Sequence, residues 1–134
     1  MATILAHITI RSGKEAEFEA IAQKMHTASH ATEPHLRAYG YWRGSEPRTY
    51  YTLLAFDSFL DFIAHQTSDH HETASPQLGG CIEAMRLEWV DPIQGASTLP
   101  PTASQDTPAD ADELTARYAK RFATQVADWW PPRP

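Results

Sequence analysis

The sequence predicts an α+β domain in which four strands form one antiparallel sheet and two helices pack on it, in the order βαββαβ. Three observations lead to this prediction. Four short segments have the alternation or the aromatic content of strands, and two segments between them have apolar residues at helical spacing behind capping residues. A three-residue connection, "SEP", joins two of the strands as in a hairpin.

The first strand and the first helix occupy the N-terminal quarter of the chain. Apolar and polar residues alternate along Thr3–Ile10, which predicts a strand with one buried face. Ser12 and Glu15 then have the spacing of a capping box, which predicts a helix over about residues 13–31. Pro34 disfavours helical geometry in the residue before it, so we expect the chain to turn there.

The remaining elements follow at short intervals. Strands two and three are predicted at "LRAYGYWRG" and "RTYYTLLAF", and strand four at "CIEAMRLEWV". Ser58 and Asp61 repeat the capping spacing, which predicts a second helix ending near Gln66. Between this helix and strand four, "SDHHETASPQLGG" is expected to be a short helical or irregular bridge that breaks at Pro76 and at Gly79 to Gly80. This order is that of ferredoxin-like domains.

Residues 98–134 form a second region with a different composition. Its first part is rich in proline and small polar residues, which is typical of an extended linker. Thr107 as N-cap and Pro108 at the first helical position predict an amphipathic C-terminal helix. Its apolar stripe comprises Leu114, Tyr118, Phe122 and Val126. We expect this helix to dock on the domain formed by residues 1–97, in its own subunit or in its partner.

Composition argues against several classes of protein. The chain has 17 acidic and 11 basic residues and a net charge of -6, without a basic stripe, so nucleic acid is not an expected partner. No apolar run reaches the roughly 20 residues of a membrane helix, so no membrane association is predicted. The single cysteine and the absence of a leader-like N-terminus favour the cytoplasm.

One face of the predicted sheet has no helices to cover it. An uncovered apolar sheet normally binds a partner, so we expect a homodimer. The apolar strand residues behind this expectation are Leu5, Leu53, Met85, Leu87 and Trp89.

Three segments resemble the antibiotic biosynthesis monooxygenase family of the dimeric α/β barrel superfamily: "AHITIRSGKEAEF", "YYTLLAFDSFLDFIAHQTSDHH" and "DPIQGAS". The resemblance covers about Ala2–Ser97. Its most specific part is the pattern formed by His65, Ser68 and His70, which is similar to the end of the second helix in many members.

The resemblance implies two protomers that pair through their sheets, with a pocket between sheet and helices in each. It also implies a cofactor-independent monooxygenase acting on a small aromatic or quinol-like substrate, whose own phenolate or carbanion reduces O₂. Haem-degrading members carry an asparagine, a tryptophan and a histidine where this chain has Ala6, Phe56 and Ser75, so no cofactor is expected. Two alternatives stay open: a non-catalytic dimeric binding or stress-response module, and an isomerase of a small oxygenated metabolite.

The expected catalytic residues are His65, Asp61 and His70. The helical wheel places His65 at the margin of the apolar stripe, hence at a pocket rim, with Asp61 one turn earlier to orient its ring. The alternative is a surface pair at i, i+4 without a catalytic role. His65, His70 and Glu72 could supply three metal ligands if the bridge folds back, but their spacing is not that of a zinc site, and no metal is predicted.

The expected substrate-binding residues are Tyr51, Tyr39, Trp42, Phe62 and His7. Alternation divides the aromatic hairpin into two faces without showing which is inside. His7 projects with Leu5 and Thr9, either into the dimer interface, which we favour, or into the pocket.

Overall fold

The structure, a computed structural model, describes residues 1–132. Within them the elements are β1 (Ala2–Ile10), α1 (Glu15–Thr32), β2 (Leu36–Arg43), β3 (Thr49–Phe56), α2 (Phe59–Thr67), α3 (Asp69–Cys81), β4 (Ile82–Trp89) and α4 (Glu113–Arg121). The strands form one sheet in the order β2-β3-β1-β4, and all neighbours are antiparallel. This arrangement confirms the predicted ferredoxin-like α+β fold.

The helices cover one face of the sheet, and the alternation of β1 determines which face it is. Ile4, Ile8 and Ile10 are buried against the helices, together with Phe18 and Met25 of α1. The alternate residues of the strands point to the opposite face, which no helix covers. The core therefore lies between this sheet and α1, α2 and α3.

The two predicted helix caps have different outcomes. Ser58 caps α2 as expected, since its Oγ accepts a hydrogen bond from the backbone N–H of Asp61 at 3.1 Å. The cap predicted at Ser12 is wrong, because α1 begins at Glu15 behind Lys14, whose side chain makes no capping hydrogen bond. A sharp turn at Gly13, with φ of 82°, lies between Ser12 and the helix.

The expected break at Pro76 does not occur. Residues Asp69–Cys81 form one continuous helix that contains Pro76 and both following glycines. Its N-terminus is capped by Ser68, which accepts from the backbone N–H of His71 at 3.3 Å. Ala74 and Cys81 are buried in the core, so tertiary packing outweighs the unfavourable local propensity.

The segment expected to be a loose linker is anchored to the domain. Thr102 is fully buried; its hydroxyl donates to the carbonyl of Val90 at 2.6 Å, and its N–H donates to Asp91 at 3.1 Å. The N–H of Ala103 also donates to the carbonyl of Met1 at 3.0 Å. These hydrogen bonds fix residues 102–103 beside the end of β4 and the start of β1, before α4 begins.

The C-terminal helix is shorter than predicted and begins later. Asp112, rather than Thr107, provides the N-cap by accepting from the N–H of Thr115 at 2.7 Å. The helix ends at Arg121, and Val126 and Trp129 lie exposed beyond it. It docks on its own subunit.

The apolar stripe accounts for this docking. The ring of Phe122 packs edge-on against that of Phe62 in α2, with 6.0 Å between centroids. The hydroxyl of Tyr118 donates to Glu72 of α3 at 2.5 Å. None of the helices in residues 1–132 has the length and apolar character needed to cross a bilayer.

Candidate active site

A cavity of about 310 Å³ lies between the covered face of the sheet and the helices. Its walls come from β1–β4, from α1–α3 and from α4, and they are mainly aliphatic and aromatic. Its polar wall residues are Tyr39, Tyr41, Thr52, His65, Gln66, His71, Ser75, Tyr118 and Arg121. This volume is near the lower end of the roughly 300–1,000 Å³ of small-molecule sites.

A wider groove of about 980 Å³ between α1 and β2 contains neither His65 nor His71.

His65 is held in this wall by a carboxylate from another helix end. Its side chain is 1% exposed, and its Nδ1 lies 2.9 and 3.1 Å from the two carboxylate oxygens of Glu33. An ionised carboxylate only accepts hydrogen bonds, so Nδ1 donates to Glu33, and in the neutral form of the ring Nε2 is left as an acceptor. Within residues 1–132 no group hydrogen-bonds to Nε2. The pair has the orientation of a carboxylate-supported histidine base.

Further hydrogen bonds hold Glu33 on the side away from the cavity. His70 donates from Nε2 to Glu33 at 2.9 Å and lies 3.0 Å from the hydroxyl of Ser29. Burial alone would raise the pKa of Glu33, but the contacts with His65, Ser29 and His70 outweigh it and keep that pKa below its usual value. Glu33 is therefore a carboxylate at neutral pH. This side opens into a surface cavity of about 570 Å³.

His71 contributes a buried nitrogen without a partner. Its Nδ1 is inaccessible to solvent and makes no hydrogen bond within residues 1–132, although the residue lines the cavity. Burial, with a smaller effect from the nearby His65 and His70, lowers its pKa to about 3, so the ring is neutral. A buried polar atom without a partner costs about 1–3 kcal/mol, which a bound ligand or water would relieve.

Two tyrosines complete the polar part of the wall. The hydroxyls of Tyr39 and Tyr41 lie 2.5 Å apart, and the ring of Tyr39 packs edge-on against His65 with 5.3 Å between centroids. Burial raises the pKa of Tyr41 to about 12 and also raises that of Tyr39. Both hydroxyls therefore stay protonated at neutral pH. Because one of them donates to the other, one O–H hydrogen of the pair remains to donate to a ligand.

The predicted catalytic residues are only partly brought together. His65 and His70 meet at Glu33, but His65 is deeply buried and not at a rim. The expected pairing of Asp61 with His65 is wrong, because Asp61 accepts from the hydroxyl of Ser58 at 2.7 Å. Glu33 takes the orienting position because α1 ends directly beside the C-terminal turn of α2.

Three predicted substrate-binding residues lie on the other face of the sheet. His7 donates to Glu88 at 2.9 Å and packs against Tyr51, with 5.6 Å between ring centroids. Trp42 pairs with Tyr51 across the β2–β3 ladder, and both are exposed. Their placement in the pocket was therefore wrong, and for His7 the outward-facing alternative holds.

The other two substrate-binding predictions also differ in outcome. Tyr39 lines the cavity as expected. Phe62 does not: it is buried in the core between Trp89 and Phe122, with ring centroids 5.6 and 6.0 Å away. Phe62 lies on α2 one helical turn before His65 and faces α4, whose C-cap residue Phe122 covers its ring.

Sequence reasoning missed Glu33, Ser29, His71 and Arg121. Glu33 and His65 are 32 positions apart, and no local pattern connects them. His71 lies in the bridge after the second helix, for which the sequence predicts a short helical or irregular structure, whereas it belongs to the continuous helix α3. Helical spacing between His71 and Ser75 was the one available signal, since it places both on the same helix face.

The residues that could ligate a metal differ in one member from the set His65, His70 and Glu72 considered in the sequence. Ligand atoms of Glu33, His65 and His70 lie within 4.8 Å of one another, whereas Glu72 binds Tyr118. Two imidazoles and a carboxylate suit several transition metals. These three side chains are already joined by hydrogen bonds from His65 and His70 to the Glu33 carboxylate, so their closeness does not require a metal.

The positions compared with haem-degrading proteins carry no matching groups. Ala6 and Ser75 line the cavity. Neither supplies the amide or imidazole found in those proteins, and Phe56 is a buried core residue. These residues do not fit haem in the way the haem-degrading members hold it.

A family model for antibiotic biosynthesis monooxygenases matches residues 1–77, which is more than half of the chain. The chain belongs to the antibiotic biosynthesis monooxygenase family. This match confirms the resemblance noted in the sequence. No curated protein matches the chain.

Solved structures share the fold of this family member at low sequence identity. A candidate antibiotic biosynthesis monooxygenase from Caulobacter crescentus is 23% identical, with a TM-score of 0.65 over 69% of this chain and 89% of its own. One from Nitrosomonas europaea is 16% identical, with a TM-score of 0.64 over 69% and 99%. Rv0793 from Mycobacterium tuberculosis is 18% identical, with a TM-score of 0.65 over 72% and 98%. At these identities the similarity shows the fold alone.

Proposed function

We propose that this protein is a cofactor-independent monooxygenase that oxidises a small aromatic or quinol-like substrate in the cavity between sheet and helices. The observation that carries the proposal is the position of His65. Its ring lines an apolar cavity, and Glu33 holds Nδ1, so that Nε2 is the nitrogen available as a base. Membership of the monooxygenase family supports the same reaction class.

In the proposed reaction, Nε2 of His65 removes a proton from the substrate. The Glu33 carboxylate stabilises the imidazolium that forms, as in other carboxylate–histidine pairs. The substrate anion then reduces O₂. At a reacting CH₂ group the carbon loses two hydrogens and gains one oxygen atom, and the second oxygen atom leaves as water.

The other polar groups of the wall would orient the substrate. The Nδ1 of His71, which lacks a partner within residues 1–132, would bond a substrate oxygen, and the hydroxyl of Tyr39 or Tyr41 would donate to another. The surrounding apolar side chains would exclude water from the substrate anion. The proposed reaction needs one base and several groups that orient the substrate. The polar side chains of the cavity wall can supply both.

Oxygen uptake by metal-free protein with a panel of anthrones and naphthoquinols tests the proposal. We expect uptake that His65→Gln removes and Glu33→Gln strongly reduces, while His26→Ala, at an exposed histidine of α1, leaves it unchanged. Uptake that survives in folded His65→Gln protein would refute His65 as the base.

The two alternative functions give different results in the same experiment. Tight binding of these compounds without O₂ consumption would identify a binding module. Conversion of a substrate without O₂ consumption would identify an isomerase.

We also propose that the uncovered sheet face forms a homodimer. Trp42 and Tyr51 are exposed there, beside the partly exposed Leu5 and Leu53. An apolar patch of this kind normally marks an interface. The buried, unpaired Cys81 is consistent with a cytoplasmic location, which we include in the proposal.

A further inference from the structure

We propose that Arg121 makes the cavity a binding site for an aromatic substrate that carries a carboxylate. This inference rests on the proposed function, because it names the substrate class of the same cavity. It concerns α4, which lies outside the part of the chain that matches the family.

Arg121 is the only permanently charged side chain among the cavity-lining residues in the described part of the chain. The cavity wall contains no Asp or Glu. The two histidines in it, His65 and His71, carry no permanent charge, and His65 is engaged by Glu33. An anionic group entering the cavity would therefore meet one fixed positive charge and no negative one.

Arg121 differs from most other arginines because it has no acidic partner among the described residues. Four arginines form ion pairs: Arg37 with Asp57, Arg43 with Glu19, Arg48 with Glu83 and Arg86 with Glu88. Within residues 1–132 no carboxylate pairs with Arg121, although the chain has 17 acidic and 11 basic residues. Its guanidinium is free to bind a carboxylate through two parallel N–H···O bonds.

The position of Arg121 is fixed by the docking of α4. Its guanidinium carbon lies 5.0 Å from the centroid of the Phe122 ring, and that ring packs against Phe62. One turn earlier, Tyr118 is bonded to Glu72. A carboxylate held by Arg121 would leave the aromatic body of the ligand in the cavity interior, where His65 and His71 lie.

The test compares two ligands of nearly equal shape, 2-naphthoate and the neutral 2-naphthylmethanol. Binding is measured by calorimetry on the full-length wild-type protein, on Arg121→Gln and on Arg117→Gln. Arg117 is a matched control, because it lies on α4, is exposed and stacks on Tyr118, but does not line the cavity.

We expect wild-type protein to bind 2-naphthoate more tightly than the alcohol. Arg121→Gln should weaken 2-naphthoate binding by about five- to tenfold and leave the alcohol unchanged, as expected for one charge-assisted contact near solvent. Arg117→Gln should change neither affinity. Arg121→Lys, which keeps the charge but not the planar fork, should fall between wild type and Arg121→Gln.

Three results would overturn the proposal. The first is an Arg121→Gln variant that loses the same affinity for 2-naphthoate and for the alcohol. The second is an Arg117→Gln variant that loses as much 2-naphthoate affinity as Arg121→Gln does. The third is a wild-type protein that binds neither ligand. The readout does not depend on turnover. A carboxylate preference that needs Arg121, without any oxygen uptake, would uphold this site and refute the oxygenase.

Discussion

Replacing Glu33 by alanine tests whether the buried His65–Glu33 contact contributes to stability as the geometry implies. The carboxylate is 14% exposed and accepts from two histidines, of which His65 is 1% and His70 is 22% exposed. Truncation leaves the Nδ1–H of His65 with only the hydroxyl of Ser29, at 3.4 Å. His70 keeps that hydroxyl at 3.0 Å and the hydroxyl of Ser68 at 3.3 Å.

The expected loss follows from this difference between the two histidines. A buried donor without an acceptor costs about 1–3 kcal/mol, and the Nδ1–H of His65 comes close to this case because its remaining contact, with the hydroxyl of Ser29, is long at 3.4 Å. His70 retains partners and solvent contact, so its contribution is close to zero. The variant no longer buries a carboxylate, which offsets part of the loss at His65. We therefore expect Glu33→Ala to lower the free energy of unfolding by about 2 kcal/mol, in the middle of that range. Glu33→Gln keeps an acceptor without its charge and should cost about 1 kcal/mol.

Urea unfolding followed by circular dichroism at pH 7 measures both variants. All proteins are compared at one concentration, because a dimer gains apparent stability with concentration. Glu46→Ala in the β2–β3 loop is the control, and it should stay within about 0.5 kcal/mol of wild type. The reasoning is refuted if Glu33→Ala also stays within that range, or if Glu33→Gln is the more destabilised variant.

Three further predictions address the helix cap, the dimer and the metal ligands. Ser58→Ala should destabilise the protein by about 1 kcal/mol in the same urea assay, through loss of the α2 cap, whereas an unchanged midpoint would contradict the cap. Leu53→Glu places a charge on the uncovered sheet face, where we propose the dimer interface, and should give a monomer mass in light scattering; a dimer mass in this variant would move the interface elsewhere. Treatment with EDTA should leave oxygen uptake unchanged. Activity that returns only with added metal would show a metal requirement, for which Glu33, His65 and His70 are the candidate ligands.

The sheet and the main helices could be predicted because their signals are local. The alternation of β1 shows its buried face within eight residues, and the capping spacing at Ser58 marks the start of α2. Where tertiary packing opposes local propensity, the prediction fails. Pro76 lies inside α3, and α4 ends at Arg121 although its apolar pattern continues to Val126.

The site could be predicted only in part, because its main contacts join distant segments. The histidine pattern identified His65 and His70 but not their shared partner, since Glu33 lies at the end of another helix. The partner that the sequence predicts for His65 is Asp61, but its carboxylate is engaged by Ser58 at the α2 cap, which the capping spacing also indicates. Asp61 thus fits two local patterns, the capping spacing from Ser58 and the one-turn spacing from His65. In the structure its carboxylate accepts its hydrogen bond from Ser58.

The proposed chemistry and the proposed substrate choice reside in different parts of the chain. His65, Glu33 and His71 fall within residues 1–77, which match the family model. Tyr118, Arg121 and Phe122 reach the same cavity from α4, beyond that match. If this division holds, variants in the first set should abolish oxygen uptake for every substrate. Variants of Arg121 should instead change the ratio of affinities for charged and neutral ligands, and that ratio separates substrate choice from the proton-transfer step.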